Sequence, residues 1–424
     1  MSTPETSQAA ASAPQACPDR VRTRCVFFLG GYEPIPPQRQ HERYIRELAR
    51  TEKAWSIKTE VGPLEMSDDQ RVGLWRTVAG GPNWSTRSEY RSLLWHDMVL
   101  ADFARPGWQR VLRGIRVFGE FLLNGTAFRY LAVNWRYGLF FLYPVFLLLA
   151  FAAVATYAAV LIVGFAGLTG DVWPYLSGAA VALAVFALLM MWPGKFLLLD
   201  YMMDDWIFAH EFVHRSREGL DERLDRFAAE LAKVLREGGY DEVVFAAHSL
   251  GCALKIAVVD RALRLVPEFG RNGERLALLS TGSSILKIAF HPQGRWMKEA
   301  IARVSASDAV FWIEYQSMAD PISFYKVDPI KALRLSPTGR PLIRRVHIRD
   351  MLSPESYRRF KANFFRLHRQ LVMGNEKRYF YDYYMVCCGP IPLKTRVLKP
   401  EIMVASFAAD GALIETKTST FSKD

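Results

Sequence analysis

The sequence predicts an α/β domain with a mostly parallel sheet covered by helices, into which a two-helix transmembrane hairpin is inserted. Three observations lead there. Short all-apolar runs alternate with amphipathic helical patterns, two long stretches carry no charge, and the segments flanking those stretches read together as one ordinary soluble domain. With 424 residues, 50% of them hydrophobic and 13% aromatic, the chain is long enough for one large core plus an extra module.

Residues 1–19 are rich in Ala, Ser, Pro and Gln and contain no apolar signal core, so a disordered tail is expected there. The domain itself is discontinuous, formed by 20–104 and 196–404. Its first part opens with Arg24-Cys25-Val26-Phe27-Phe28-Leu29, a buried-strand pattern that stops at Gly30-Gly31. A helix follows across Gln38–Lys53 and a strand near Ser56–Val61. In the second part, Phe227, Leu231, Val234 and Leu235 share one face of a helix over Asp221–Glu237, which Gly238-Gly239 ends. Glu242–Ala247 is a short strand, followed by a helix from Cys252 to Val266 and by strands at Leu276–Leu279, Ala309–Tyr315 and Leu342–Ile348. A helical run is expected over Pro354–Met373, and a flexible tail over 405–424.

Residues 137–195 form the hairpin. No charged residue occurs from Tyr137 to Gly170 or from Val172 to Gly194, and each stretch exceeds the roughly 20 apolar residues that a bilayer-spanning helix needs. The spans are joined only by a few residues around Thr169-Gly170-Asp171-Val172. Arg129, Arg136 and Lys195 flank the open end, which places both termini and the soluble domain in the cytoplasm. Upstream, 105–136 is a basic amphipathic segment. Trp108, Val111, Leu112, Ile115, Phe118 and Leu122 recur at three- and four-residue spacing, with Arg110, Arg113 and Arg116 off that stripe. Such a helix either rests in the headgroup plane or belongs to the soluble domain with a solvated basic face.

The formal net charge is +11. A lipid bilayer accounts for it as a partner, since many arginines fall just before the hairpin and no nucleic-acid-binding motif is present. Nucleic acid is therefore not an expected partner. Five cysteines, odd in number and irregular in spacing, indicate a reducing compartment without a disulfide framework.

The chemistry is concentrated at Ala247-His248-Ser249-Leu250-Gly251, where a strand ends and a helix opens at once. So tight a turn demands small flanking residues, which Ala247 and Gly251 supply, and lifts Ser249 Oγ to the carboxyl edge of the sheet above the next helix's amides. Here the sequence resembles the α/β-hydrolase superfamily, in particular lipase-like members with a Gly-His-Ser-Leu-Gly elbow. Ala247 stands where that pattern has its first Gly, and Cys252 where a further Gly is common.

The resemblance implies the order nucleophile, acid, histidine. Asp320, in Met318-Ala319-Asp320-Pro321 just after a late strand, is similar to the family's acid; it is also a plausible turn or cap residue. Only His347 and His368 of the eight histidines follow it, and either suits the base. His347 lies late in a strand. His368 lies at the edge of the Phe360/Phe364/Leu367/Leu371 stripe, and its surroundings resemble the histidine segment of some lipases. Gly31 and Tyr32, with Leu250, stand where the resemblance puts oxyanion-stabilising amides, although Gly30-Gly31 reads equally as a simple turn. The expected activity is that of a membrane-anchored serine hydrolase of the esterase or lipase type, acting on an apolar acyl ester or thioester without a cofactor. An acyltransferase would use the same elbow.

A competing reading rests on His210-Glu211-Phe212-Val213-His214. This His-Glu-x-x-His string would put two imidazoles on one helix face for zinc, with Glu211 as general base, as in membrane zinc peptidases. A third ligand would come from Glu230 or Glu237. A non-catalytic membrane protein on the same fold is the third alternative.

Overall fold

The computed structural model describes residues 20–166, 171–271, 273, 275–336 and 341–414. The expected N-terminal tail, the Thr169-Gly170 turn and residues 415–424 lie outside the described residues. The fold is mixed α/β, an open and mostly parallel sheet covered by helices.

Nine strands form that sheet. They are β1 (Thr23–Leu29), β2 (Lys58–Val61), β3 (Glu65–Met66), β4 (Val72–Gly81), β5 (Trp84–Leu93), β6 (Glu242–His248), β7 (Leu276–Thr281), β8 (Val310–Ser317) and β9 (Leu342–Val346). Their order is β2-β4-β5-β1-β6-β7-β8-β9, with β3 on β4. The six strands from β5 to β9 along this order run parallel, whereas β2, β3 and β5 pair antiparallel with β4. The central strands carry unbroken apolar runs, Cys25–Leu29, Val243–Ala247 and Leu276–Leu279, because both faces are covered. Along β1, Cys25, Phe27 and Leu29 enter one core, and Val26 and Phe28 enter the core on the opposite face.

Connections leave β1 toward β2, β4 and β5, and leave β6 toward β7, β8 and β9. The carboxyl ends of β1 and β6 are therefore the point where the winding reverses. In an open parallel sheet, the loops diverge there and leave a crevice.

The β4–β5 hairpin lies outside the sequence expectation. Trp75, Thr77 and Ala79 alternate inward with Trp84, Thr86, Ser88 and Tyr90 across the ladder. Four of these seven inward residues, Thr77, Ala79, Thr86 and Ser88, are polar or small, which masks the period-two signal that apolar residues would have given. Two further corrections are local. Leu342–Val346 ends before His347, which begins a short helical turn, Ile348–Met351. The run expected over Pro354–Met373 is two helices, Pro354–Phe360 and Phe364–Gln370, the second capped by Asn363 Oδ1 accepting the Arg366 amide. The flexible tail expected from 405 is not one over 405–414. Phe407 is buried edge-on against Trp55, with ring centroids 5.2 Å apart, and Phe407 bridges to Leu413.

Two helices, Trp135–Ala166 and Trp173–Leu189, the latter continuing to Gly194, are long and apolar enough to cross a membrane. They pack on each other where Gly178 allows close approach; a Cβ there would lie 3.0 Å from Val163 Cγ2. Most of their remaining surface is bare, with Phe165 88% and Leu183 73% exposed.

The basic helix before them, Gly107–Leu123, turns a different face inward from the expected stripe. Val117, Phe118 and Phe121 are buried in the domain core, while of the expected stripe Trp108, Leu112 and Ile115 are exposed. Its arginines are not all solvated. Arg110 is buried and donates to Asp204 Oδ2 at 2.7 Å, while Arg105 donates to Asp204 Oδ1 at 2.8 Å. Asp204 belongs to helix Leu199–Val213, which follows the second apolar helix. Removing one partner of a buried ion pair strands the others in the low-dielectric interior. Asp204→Ala is expected to lower the unfolding free energy of the detergent-solubilised protein by about 3–5 kcal/mol. Asp225→Ala, which removes a mostly exposed partner of Arg261, is expected to change it by less than about 1 kcal/mol. Denaturant titration monitored by Trp fluorescence measures both.

Candidate functional site

Strand β6 ends at His248 and the next helix spans Gly251–Leu265, so the turn between them has only Ser249 and Leu250. Ser249 has φ +56°, a left-handed conformation that costs a non-glycine residue strain and that surrounding structure must impose. Its amide donates to Thr281 O at 3.0 Å, and its carbonyl accepts from Cys252 N at 3.0 Å and Ser284 N at 3.3 Å. Gly251 is required because any Cβ there would collide with the carbonyl oxygens of Leu29 and Gly30. The loop after β1 lies equally close, since a Cβ on Gly31 would sit 3.0 Å from Ser249 Cβ. Gly31, Tyr32 and Leu250 thus border Ser249, and in the first turn of the helix at Gly251 the Cys252 and Ala253 amides donate to Ser249 O and Leu250 O.

Asp320 follows β8 and is fully buried. Its Oδ2 lies 2.7 Å from His368 Nδ1, and its Oδ1 accepts the Ile322 amide at 3.0 Å. Burial alone would raise the Asp320 carboxyl, but the His368 charge and hydrogen bonds from His368 and Ser323 hold it below its ordinary value. As a carboxylate it only accepts, so His368 Nδ1 carries a proton and a neutral ring leaves Nε2 as acceptor. That Nε2 is buried and has no hydrogen-bond partner, Ser249 Oγ included.

His368 is held from two further sides. His248 Nε2 donates to the His368 carbonyl at 3.0 Å, with the two rings 4.3 Å apart. Burial, then the neighbouring His368 charge, push the His248 pKa down to about 3, which keeps its ring neutral. Gly282, at φ +55°, supplies the other side; a Cβ there would lie 2.7 Å from His368 Cε1 and 3.2 Å from Asp320 Oδ2. His347 takes no part. Its side chain is 58% exposed and its Nδ1 lies 3.5 Å from Asp350. The structure therefore brings Ser249, Asp320 and His368 together and leaves His347 apart.

Ser249 and His368 line one cavity of about 350 Å³, walled by Tyr32, Ile35, Leu198, Tyr201 and Phe365. Glu33 and Arg369 add charge at its edge, Glu33 being paired with Arg43 at 2.8 Å. Two clefts of similar size, about 380 and 430 Å³, are lined largely by Arg, Asp and Glu side chains and hold no serine–histidine combination. Leu198 and Tyr201 come from the segment directly after the second apolar helix. Tyr201 OH donates to Tyr32 O at 2.6 Å and so ties that segment to the loop beside Ser249. Sequence reasoning missed Leu198, Tyr201, Phe365, His248 and Gly282. Of these, only His248, inside the elbow, had a local signal. Chemically, the set has a hydroxyl, an imidazole with a vacant Nε2 and a buried carboxylate around one mostly apolar chamber, the parts needed for proton transfer and nucleophilic attack.

The His-Glu-x-x-His string has another environment. His210 and His214 point Nε2 at one carboxylate, Glu120 of the basic helix, at 2.8 and 2.9 Å. Neither expected third ligand is there: Glu230 pairs with Arg91 and Arg226, and Glu237 is exposed. Glu211 is held by Arg217 at 2.9 Å and Arg113 at 3.4 Å.

Comparisons with protein-family models, with curated proteins and with solved structures give no match for this chain.

The contact at Gly282 can be tested without any substrate. Gly282→Ala places a Cβ against the His368 ring in a backbone conformation hostile to L-residues, and is expected to destabilise the protein by about 1–3 kcal/mol. His347→Ala, at an exposed site, is expected to stay within about 0.5 kcal/mol. Thermal unfolding compares the two.

Proposed function

We propose that this chain is a membrane-anchored serine hydrolase of the esterase or lipase type, on an α/β-hydrolase-type fold, cleaving an apolar acyl ester or thioester. The observation that carries this reading is the left-handed Ser249 lining the same cavity as His368, whose Nδ1 lies 2.7 Å from the buried Asp320 carboxylate. Their order along the chain and their positions after β6, after β8 and beyond β9 also agree with it.

In this mechanism His368 Nε2 takes the proton of Ser249 Oγ as that oxygen attacks the carbonyl carbon. The Ser249–His368 hydrogen bond that this needs tightens on substrate binding, as is common at such sites. The developing oxyanion is stabilised by main-chain amides of Leu250 and of the Gly31-Tyr32 loop. His368 then passes its proton to the departing alcohol or thiol. Water, deprotonated by the same nitrogen, attacks the acyl-serine; the acyl–Oγ bond breaks, His368 returns the proton to Ser249 Oγ, and the acid leaves. Asp320 fixes the tautomer and stabilises the imidazolium. No cofactor enters these steps.

Anchoring follows from the two apolar helices and from the exposed Trp108, Leu112 and Ile115 beside them, a pattern suited to a bilayer interface. Lys195 and Arg129 are exposed at the hairpin's open end, which favours a cytoplasmic domain and cytoplasmic termini. Leu198, 41% exposed, and Phe196, 84% exposed, link the cavity wall to the base of the hairpin, so an acyl chain dissolved in the bilayer would have a short path to Ser249. The zinc-peptidase alternative is disfavoured because Glu211, its general base, is committed to two arginines.

A fluorophosphonate probe tests the chemistry. Ser249→Ala is expected to abolish labelling, and His368→Ala to slow it by on the order of 10³-fold or more. Asp320→Asn should be severe but less complete, and His347→Ala should match the unmodified protein. Full labelling of Ser249→Ala would overturn the reading. For topology, a cysteine replacing Asp171 is expected to react with an impermeant maleimide from outside intact cells; protection there, with labelling only after permeabilisation, would reverse the orientation.

A further inference from the structure

We propose that Glu120, His210 and His214 bind one divalent transition-metal ion, Zn²⁺ by donor chemistry, which clamps the helix entering the apolar hairpin to the helix leaving it. Within the described residues these three form the one group of potential ligands whose donor atoms all lie within 4.8 Å of one another. His210 and His214 are four residues apart near the end of helix Leu199–Val213, so their rings stack on one face with centroids 4.3 Å apart. Glu120 reaches them from helix Gly107–Leu123, one carboxylate oxygen to each Nε2. Two imidazole nitrogens and a carboxylate are a donor set that Zn²⁺ favours, with room for a water as fourth ligand.

The surroundings are built to hold this geometry. His291, buried, presents Nε2 3.3 Å from Glu120 Oε1, while its Nδ1 accepts the Gln293 amide at 3.3 Å. Asn124 Nδ2 lies 2.8 Å from that same His291 Nε2. A group that bonds to a metal-binding carboxylate in this way orients the ligand and tunes it. Phe121 packs on His291 at 4.9 Å and closes one side, whereas His214 and Glu120 are 27% and 30% exposed, leaving an ion a route in. Without metal, each Nε2–H donates to Glu120; an ion would take the place of those hydrogens at Nε2, each neutral ring then carrying its proton on Nδ1.

The placement sets the role. Helix Gly107–Leu123 lies before the first apolar helix, separated from it by the short helix Thr126–Val133, and Leu199–Val213 follows the second, so one ion cross-links the segments on either side of the hairpin. This clamp needs no general base and is independent of Ser249.

The test uses the full chain in detergent, stripped with a chelator and titrated with Co²⁺, then Zn²⁺. The expected result is about one Co²⁺ per chain, with the intense visible bands of a four- or five-coordinate nitrogen and oxygen site, displaced by Zn²⁺ and accompanied by a higher unfolding temperature. Glu120→Gln, close in shape to the native residue, and His214→Ala should each weaken uptake by more than the about 10- to 100-fold typical of losing an outer-shell partner. Glu211→Gln should leave uptake unchanged. The proposal is overturned if the intact chain takes up no Co²⁺, or if uptake survives both Glu120→Gln and His214→Ala. Equal loss in Glu211→Gln would also overturn it, because Glu211 would then be needed to hold the ion.

Discussion

The arrangement depends on how closely three loops approach one another at the carboxyl edge of the sheet. The loops after β1, β6 and β7 meet around Ser249, and a glycine occupies each contact: Gly31 against the Ser249 side chain, Gly251 against the carbonyls of Leu29 and Gly30, and Gly282 against the His368 ring. Close approach is possible because the parallel strands end together, and a crevice forms because the winding reverses between β1 and β6. The left-handed strain at Ser249 is sustained by that packing. Its amide and carbonyl are both engaged, by Thr281 O and by the Cys252 and Ser284 amides, so relaxing φ would break hydrogen bonds on two sides.

Much of the frame was legible in the sequence because its signals are local. All-apolar runs such as Cys25–Leu29 and Val243–Ala247 mark strands covered on both faces, and the uncharged stretches mark the two long apolar helices. Ser249 stands out because a strand, a tight turn and a helix follow without a linker. Asp320 was nameable from its place after a strand. The choice between His347 and His368 was not, since it depends on which chain segment folds back over β7. Gly282 and the His248–His368 bond make that choice, and neither has a signature in the linear sequence. Glu120 was invisible for the same reason: it lies 90 residues before His210. Motif spacing pointed to Glu230 and Glu237, while helix docking supplied a carboxylate from upstream of the hairpin.

The hairpin is integrated with the domain by charge as well as by packing. Arg105 and Arg110 converge on Asp204, and Arg217 and Arg105 on Asp102, whose other oxygen accepts Tyr32 OH at 2.8 Å. Tyr32 thus connects the ion network at the hairpin's feet to the loop bordering Ser249. Tyr201, on the next turn from Asp204, donates to the Tyr32 carbonyl and lines the cavity. Buried ion networks add little net stability over an apolar core, but they penalise misplacement heavily because a displaced partner strands a charge.

The electrostatics beside Ser249 separate two histidines that are chemically alike. His248 and His368 are stacked at 4.3 Å, close enough that two positive rings would repel strongly. His248 has no carboxylate bonded to it and gives its Nε2 proton to a carbonyl; burial and the neighbouring ring keep it neutral down to about pH 3. His368 has Asp320 on Nδ1 and a vacant Nε2. Asp320 is therefore placed to offset a positive charge on His368 alone, and His248 holds the backbone that carries it. On the proposed reading, this asymmetry lets a single imidazole exchange protons with Ser249 while its neighbour stays silent.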